Sequence, residues 1–233
     1  MKLNKQMKTT MALAVLSIAV PTQAATLTSV GNGDYSTAST WDTNTSPGVL
    51  DDIIITNGHA ITETSAVKVG FVSGGAAGPG GSISVLEGSL IGAFELNMGW
   101  VPPTSGTMDA ELNIASLGTV EIAHMWLYDG PQGESDINFT GNGGSLTITD
   151  GFGAAGTVRV GTNPSTFATL SYEDLWDLGL LTKDGQSGLT SAVYLDNFAV
   201  SGTSNNTITA IPEPSAAALF GLGGLALILR RRK

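Results

Sequence analysis

Alternation of apolar and polar residues dominates the chain, and helical periodicity is scarce. Four short segments place apolar residues two apart: Ile53/Ile55, Ile83/Val85, Leu112/Ile114 and Leu146/Ile148. A period of two puts each pair on one face of a strand. The second members are spaced 30, 29 and 34 residues apart. Each segment runs into a turn glycine (Gly58, Gly88, Gly118 or Gly151) and then into a second alternating pair. Those pairs are Val67/Val69, Leu96/Met98, Met125/Leu127 and Val158/Val160, with second members 29, 29 and 33 apart. Two independent anchors therefore give one period.

A chain that returns to the same pattern at this interval predicts a coil of stacked rungs. No rung can bury its apolar pairs alone, so each needs its neighbours. The expected fold is all-β: a parallel β-helix, or solenoid, of about four rungs. Ile55, Val85, Ile114 and Ile148 then form one buried ladder, and Val69, Met98, Leu127 and Val160 a second. An antiparallel β-sandwich is the alternative, because it also has strands at regular spacing. Residues 31–50, with Trp41 and Pro47, read as a polar N-terminal cap. The Gly-rich stretches 74–81 and 130–144 read as loops projecting sideways. Ser171 and Asp174 form an S-x-x-D box that opens a short helix over 171–179. Strands over 192–200 and 206–211 are expected to cover the open end of the stack, as terminal repeats must.

The two ends of the chain are of another kind. Lys2, Lys5 and Lys8 precede an apolar run over 10–20, and Pro21 precedes the small residues of Thr22-Gln23-Ala24. This reads as a secretory signal peptide with cleavage expected after Ala24, Ala25 being the alternative. At the other end, residues 215–229 carry no charge, and Arg230, Arg231, Arg232 and Lys233 follow at once. Counted from Ile211 the stretch is 19 residues, near the lower limit for a helical span. Four terminal cations mark a cytoplasmic stop. The organisation read from the chain is a signal peptide over 1–24, a repeat body over 25–170, a cap and linker over 171–210, and a membrane tail over 211–233.

With both ends set aside, residues 25–210 hold three cations, Lys68, Arg159 and Lys183, against 19 acids, a net charge near −16. Such a surface repels phosphate backbones, which excludes nucleic acid as a partner. Cysteine is absent, so neither disulfides nor thiolate metal sites are available.

The segment Ile211-Pro212-Glu213-Pro214-Ser215, the apolar span and the Arg-Arg-Arg-Lys end resemble a PEP-CTERM sorting domain. The resemblance covers about a tenth of the chain, with its three features in fixed order. It implies a substrate of exosortase, a transpeptidase-like membrane enzyme of Gram-negative bacteria that make exopolysaccharide. It further implies that Pro212, Glu213 and Pro214 are the sorting motif. The prolines agree with this, since they hold an extended approach to the span. Residues 172–202, with Leu175-Trp176-Asp177 and the ending Asp196-Asn197-Phe198-Ala199-Val200-Ser201-Gly202, also look like the region before the tail in a group of β-solenoid proteins of this kind.

Candidate chemistry in the body is sparse. Gly151-Phe152-Gly153-Ala154-Ala155-Gly156 matches G-x-G-x-x-G, but residues 157–161 continue as a strand, whereas a dinucleotide site needs a helix there. His59 and His124 stand in no ligand spacing and read as a turn residue and a half-buried strand residue. Glu87 and Asp150 fall in one repeat column, two rungs and roughly 10 Å apart, beyond the carboxylate separation of glycosidases. Asp42-Thr43-Asn44 begins like a calcium loop, but Pro47 replaces its glycine and no Glu closes it. Trp126 points outward between inward-facing Met125 and Leu127, beside Asn97 and Arg159, and is a candidate carbohydrate contact.

No catalytic residue, metal ligand or cofactor site is assigned. The expected function is that of an exported, non-catalytic structural protein of the envelope or matrix. A carbohydrate-binding module for exopolysaccharide is the alternative, and a polysaccharide-degrading enzyme the second. The expected partners are the Sec machinery, signal peptidase, exosortase, the membrane through the tail, and extracellular polysaccharide. The protein is expected in the inner membrane before processing and at the cell surface or in the matrix afterwards.

Overall fold

The computed structural model describes residues 25–48, 51–63, 66–69, 81–99, 110–130, 133–161, 167–190, 192–202 and 206–212. The predicted signal peptide and the predicted tail helix beyond Pro212 lie outside these residues, as does the predicted loop up to residue 80. The chain opens with β1 (Thr26–Thr28) and β2 (Gly33–Asp34), then β3 (Asp52–Ile55), β4 (His59–Thr62) and β5 (Ala66–Val69). Two long strands follow, β6 (Gly81–Met98) and β7 (Ala110–Gly130), each bending through a full turn. The next turn is split into β8 (Gly133–Thr140), β9 (Ser145–Ile148) and β10 (Thr157–Gly161). The C-terminal part holds β11 (Ala168–Ser171), α1 (Tyr172–Leu178), β12 (Leu181–Lys183), α2 (Tyr194–Asn197), β13 (Phe198–Ser201) and β14 (Thr207–Ala210).

These strands form a β-solenoid of about four turns. Three parallel ladders run along it. In the first, Leu27, Ile53, Ile83 and Leu112 stack in successive turns, and Ile137 and Leu181 continue the column. In the second, Ile61, Leu90, Val120 and Leu146 stack. The third aligns Val67 with Leu96 and Met125, and Val69 with Met98, Leu127 and Val160. The parallel pairing of β3, β6 and β7 rules out the sandwich. All of these core residues whose side chains are described are buried, and together they form one continuous apolar cluster. Outward side chains make a second, polar ladder. Asn113 Nδ2 donates to Ser84 Oγ at 3.4 Å, Asn138 Nδ2 to Asn113 Oδ1 at 3.2 Å, and Thr182 Oγ1 to Asn138 Oδ1 at 2.7 Å.

Close approach of the backbone sets the corner between the first two ladders. Gly88 has φ +139°, and a Cβ there would strike the carbonyl oxygen of His59 in the previous turn. A Cβ on Gly118 would strike the carbonyl of Val85 in the same way. Gly88 and Gly118 are therefore packing requirements between rungs, whereas a Cβ on Gly58 would meet open space and one on Gly151 its own turn at Ala154.

The fourth turn corrects the predicted ladder. Ile148 does not lie over Ile114; it pairs with Ile122 in the second ladder. The residue over Ile114 is Phe139, in a strand that the sequence reading assigned to a sideways loop over 130–144. The cause is a short link. Asp129 and Gly130 meet Glu134 and Gly133 in a tight hairpin, and Ala110 to Ala115 then pair with Ser135 to Thr140 in rising register. The spacing between stacked outward residues drops from 29 at Asn113 and Ser84 to 25 at Asn138 and Asn113. Period-2 alternation is the same on every face, so a shortened turn moves a segment to the next ladder without changing its pattern.

Both ends of the stack are closed. At the N-terminus Trp41 is buried, edge-on to Tyr35 at 5.6 Å, and its indole N–H donates to the Tyr35 carbonyl at 2.9 Å. The predicted polar cap thus carries an apolar plug. The edge strand β1 is shielded by carboxylates: the backbone N–H of Thr28 donates to Asp42 Oδ1 at 3.0 Å and that of Ala25 to Asp51 Oδ1 at 2.8 Å. At the other end Trp176 and Phe139 pack against Phe198 at 5.5 and 5.2 Å. The expected strand over 192–200 starts instead as the helical turn α2, because Tyr194, Asn197 and Phe198 bury at i, i+3 and i+4. β14 runs antiparallel beside β9 and ends the second ladder. Lys183 takes the last inward position over Phe139, 2 % exposed, with its ammonium 3.6 Å from Asp184.

Candidate functional site

The outward side of the third ladder carries an aromatic cluster. Trp126 stands beside Asn97 and Arg159, as the repeat predicts, and is half-buried. Two phenylalanines from other segments pack on its indole, Phe152 at 4.6 Å and Phe167 at 5.1 Å. The Arg159 guanidinium lies 5.1 Å from the Trp126 ring and 4.5 Å from the Phe152 ring, within cation–π range. His124, two residues before Trp126, contacts Phe152 at 4.9 Å and Phe94 at 5.2 Å. Phe94 is 56 % exposed. Sequence reasoning found Trp126 and Arg159 but missed Phe94, Phe152 and Phe167. The available signal was Phe152 inside the G-x-G-x-x-G turn. That turn holds Gly151, Gly153 and Gly156 at positive φ and leads into β10, not into a helix.

The titratable residues singled out in the sequence are scattered. Asp150 lies 3.4 Å from His124 Nε2, at the corner between the second and third ladders. Glu87 pairs with Leu117 at the corner between the first and second. The predicted shared column of Glu87 and Asp150 is therefore corrected, for the reason that moved Ile148. His59 accepts from or donates to Ser29 Oγ through Nδ1 at 2.8 Å. Among the described residues no group of three or more His, Asp or Glu is placed to hold a metal ion. A cavity of about 390 Å³ opens at the C-terminal cap, lined by Ala154, Thr157, Tyr172, Glu173, Tyr194 and Leu195, among others. Burial raises the Tyr172 phenol well above its usual range; burial and then the Glu173 charge do the same for Tyr194.

The end of the body is held tightly. The Ala210 N–H donates to the Gly144 carbonyl at 2.9 Å, and the Gly143 N–H to the Ala210 carbonyl at 2.7 Å. The Ile211 N–H donates to the Asn197 carbonyl of α2 at 3.0 Å. Pro212 follows at once and is exposed. The rest of the predicted motif, Glu213 and Pro214, and the cluster Arg230, Arg231, Arg232 and Lys233 lie outside the described residues. Residues 210–233 match the PEP-CTERM protein-sorting motif. The PEP-CTERM match begins at the last residue of β14, so fold and signal meet without a linker. A PEP-CTERM tail implies export, anchoring in the membrane before processing, and exosortase as the processing partner. No curated protein and no solved structure matches the chain. Among the described residues no helix is long and apolar enough to cross a membrane, and the PEP-CTERM apolar run is not among them.

Proposed function

We propose that the solenoid is a non-catalytic structural component of the envelope or matrix. A signal peptide over 1–24 exports it through the Sec machinery, signal peptidase cleaves that peptide, and a transmembrane helix in the tail holds it until exosortase acts. Its destination is the cell surface or the exopolysaccharide matrix. The observation that carries this reading is the outward polar ladder. Ser84, Asn113, Asn138 and Thr182 direct their hydrogen bonds at one another from rung to rung, and Ser82 donates to Asp52 at 2.9 Å in the same manner. Side chains used this way stiffen a stack. The test is incubation of the purified full chain with exopolysaccharide isolated from a producing strain. No reducing ends and no unsaturated sugars are expected; release of either favours the polysaccharide-degrading alternative and overturns this reading.

A second reading, carbohydrate binding, draws on the aromatic cluster. Phe94 offers an exposed ring beside His124, and Phe152 links His124 to Trp126 and Arg159. Aromatic faces next to polar groups suit the apolar faces of sugar rings. Phe94→Ala should then lower retention on the isolated polysaccharide while leaving the unfolding midpoint within experimental scatter.

A further inference from the structure

The C-terminal cap combines two features that no sorting signal requires. The first is exposed apolar surface. Among the described residues eight large hydrophobic side chains are exposed, and four of them are Leu178, Leu189, Val193 and Leu195. Half of these side chains thus belong to one small cap. Leu178 ends α1, the Leu189 side chain lies over Gly179 beside it, and Val193 and Leu195 flank the first residue of α2. The second feature is the attachment of the tail. Ile211 is hydrogen-bonded to the Asn197 carbonyl, the last residue of α2, and the uncharged run starts at Ser215.

Four residue steps separate Ile211 from Ser215, a reach of at most about 14 Å. Pro212 and Pro214 are two of the residues in that connection, and a proline ring fixes its own φ. The headgroup zone on each side of a bilayer is roughly 5–8 Å deep. A chain anchored from Ser215 therefore holds Ile211 no more than roughly 6–9 Å above the lipid headgroups. Leu195 and Val193 stand two and four residues before Asn197, whose carbonyl accepts from Ile211.

We infer that the C-terminal cap is a lipid-contacting surface, on which Leu178, Leu189, Val193 and Leu195 rest in the headgroup zone while the tail anchors the chain. The inference rests on the reading of the tail as a membrane anchor. Apolar side chains gain by entering the zone between headgroups and acyl chains. Charge narrows the lipid class. Glu173, Asp177, Asp184 and Asp196 are exposed on the cap, and its one cation among the described residues, Lys183, is buried. Anionic lipid is repelled by such a surface, so the partner is zwitterionic lipid.

The chain has no cysteine, which makes single labels clean. Leu189→Cys and Leu195→Cys, with Thr45→Cys in the N-terminal cap as control, are labelled with a fluorophore in the full chain. Each is reconstituted into phosphatidylcholine vesicles carrying brominated acyl chains. Quenching at 189 and 195 should be several-fold stronger than at 45, and should weaken as phosphatidylglycerol replaces phosphatidylcholine. Equal quenching at all three sites, or unquenched labels in chains that survive an alkaline wash, overturns the inference alone. Loss of the chain in that wash overturns the anchor reading and the inference with it. Energy transfer between copies through labels at 189 and 195, without lipid quenching, assigns the patch to a second copy and also overturns it.

Discussion

At the scale of single residues, the solenoid is held by side chains that lie directly over one another. Ile114 is fully buried between Val85 and Phe139 in adjacent turns. Ile114→Ala removes contacts to both, and close-packed rungs have little freedom to collapse into the space. The expected loss is about 2–5 kcal/mol, read from the urea midpoint at constant slope. A loss below about 1 kcal/mol would contradict the stacking of these three residues. Three of the four predicted members of this ladder were legible, because Ile55, Val85 and Ile114 keep a near-constant spacing. Phe139 was not, because its turn is shorter. Lys183 at the end of the same column was not legible either: nothing local distinguishes a lysine buried beside Asp184 from one on the surface.

At the scale of elements, α1 was the most legible. Ser171 Oγ accepts from the Asp174 N–H at 3.2 Å, and the Ser171 N–H donates to Asp174 Oδ2 at 2.8 Å, which completes the box expected from S-x-x-D. The Ser171 hydroxyl and N–H hold the Asp174 carboxyl below its usual range. A depressed carboxylate stabilises the fold above its unfolded value, near 4, and that contribution disappears as pH falls through the folded value. Ser171→Ala should cost about 0.5–2 kcal/mol at pH 7 by thermal or urea unfolding. The gap to the unaltered protein should narrow below about pH 4, where Asp174 takes up a proton in both. A gap that widens in acid would contradict the box as the source. α2 was misread as strand because a single helical turn gives too short a window for its period to stand out.

At the scale of the whole molecule, the body and the tail are separate in composition and joined without slack. Among the described residues the last backbone hydrogen bond to the body is that of Ile211, and the PEP-CTERM match extends from 210 to 233. A chain cut after Pro212 keeps every contact among the described residues of the body. It should leave the membrane fraction and unfold at the same urea concentration as the full chain. Fractionation and urea titration together check this. Retention in the membrane would place an anchor elsewhere, and a lower midpoint would mean that the tail packs on the body. A cut before Ile211 removes its bond to Asn197 and should be measurably less stable.

What the sequence determined is what is written in order along it. The sorting tail is legible because an extended proline motif, an uncharged run and terminal cations follow one another, and each acts locally. The strand pairs, the corner glycines and the S-x-x-D box are legible for the same reason. Tertiary structure decided which strand lies over which. A two-residue alternation carries no label for its face, so the hairpin at Gly130 and Gly133 alone could pass Ile148 to the second ladder and bring Phe139 over Ile114. It also decided the surroundings of Trp126, because Phe152 and Phe167 reach the indole from segments whose proximity depends on the closure of the fourth turn. Local physics fixes the direction of a side chain; the count of residues per turn, set by the packed stack, fixes its neighbour.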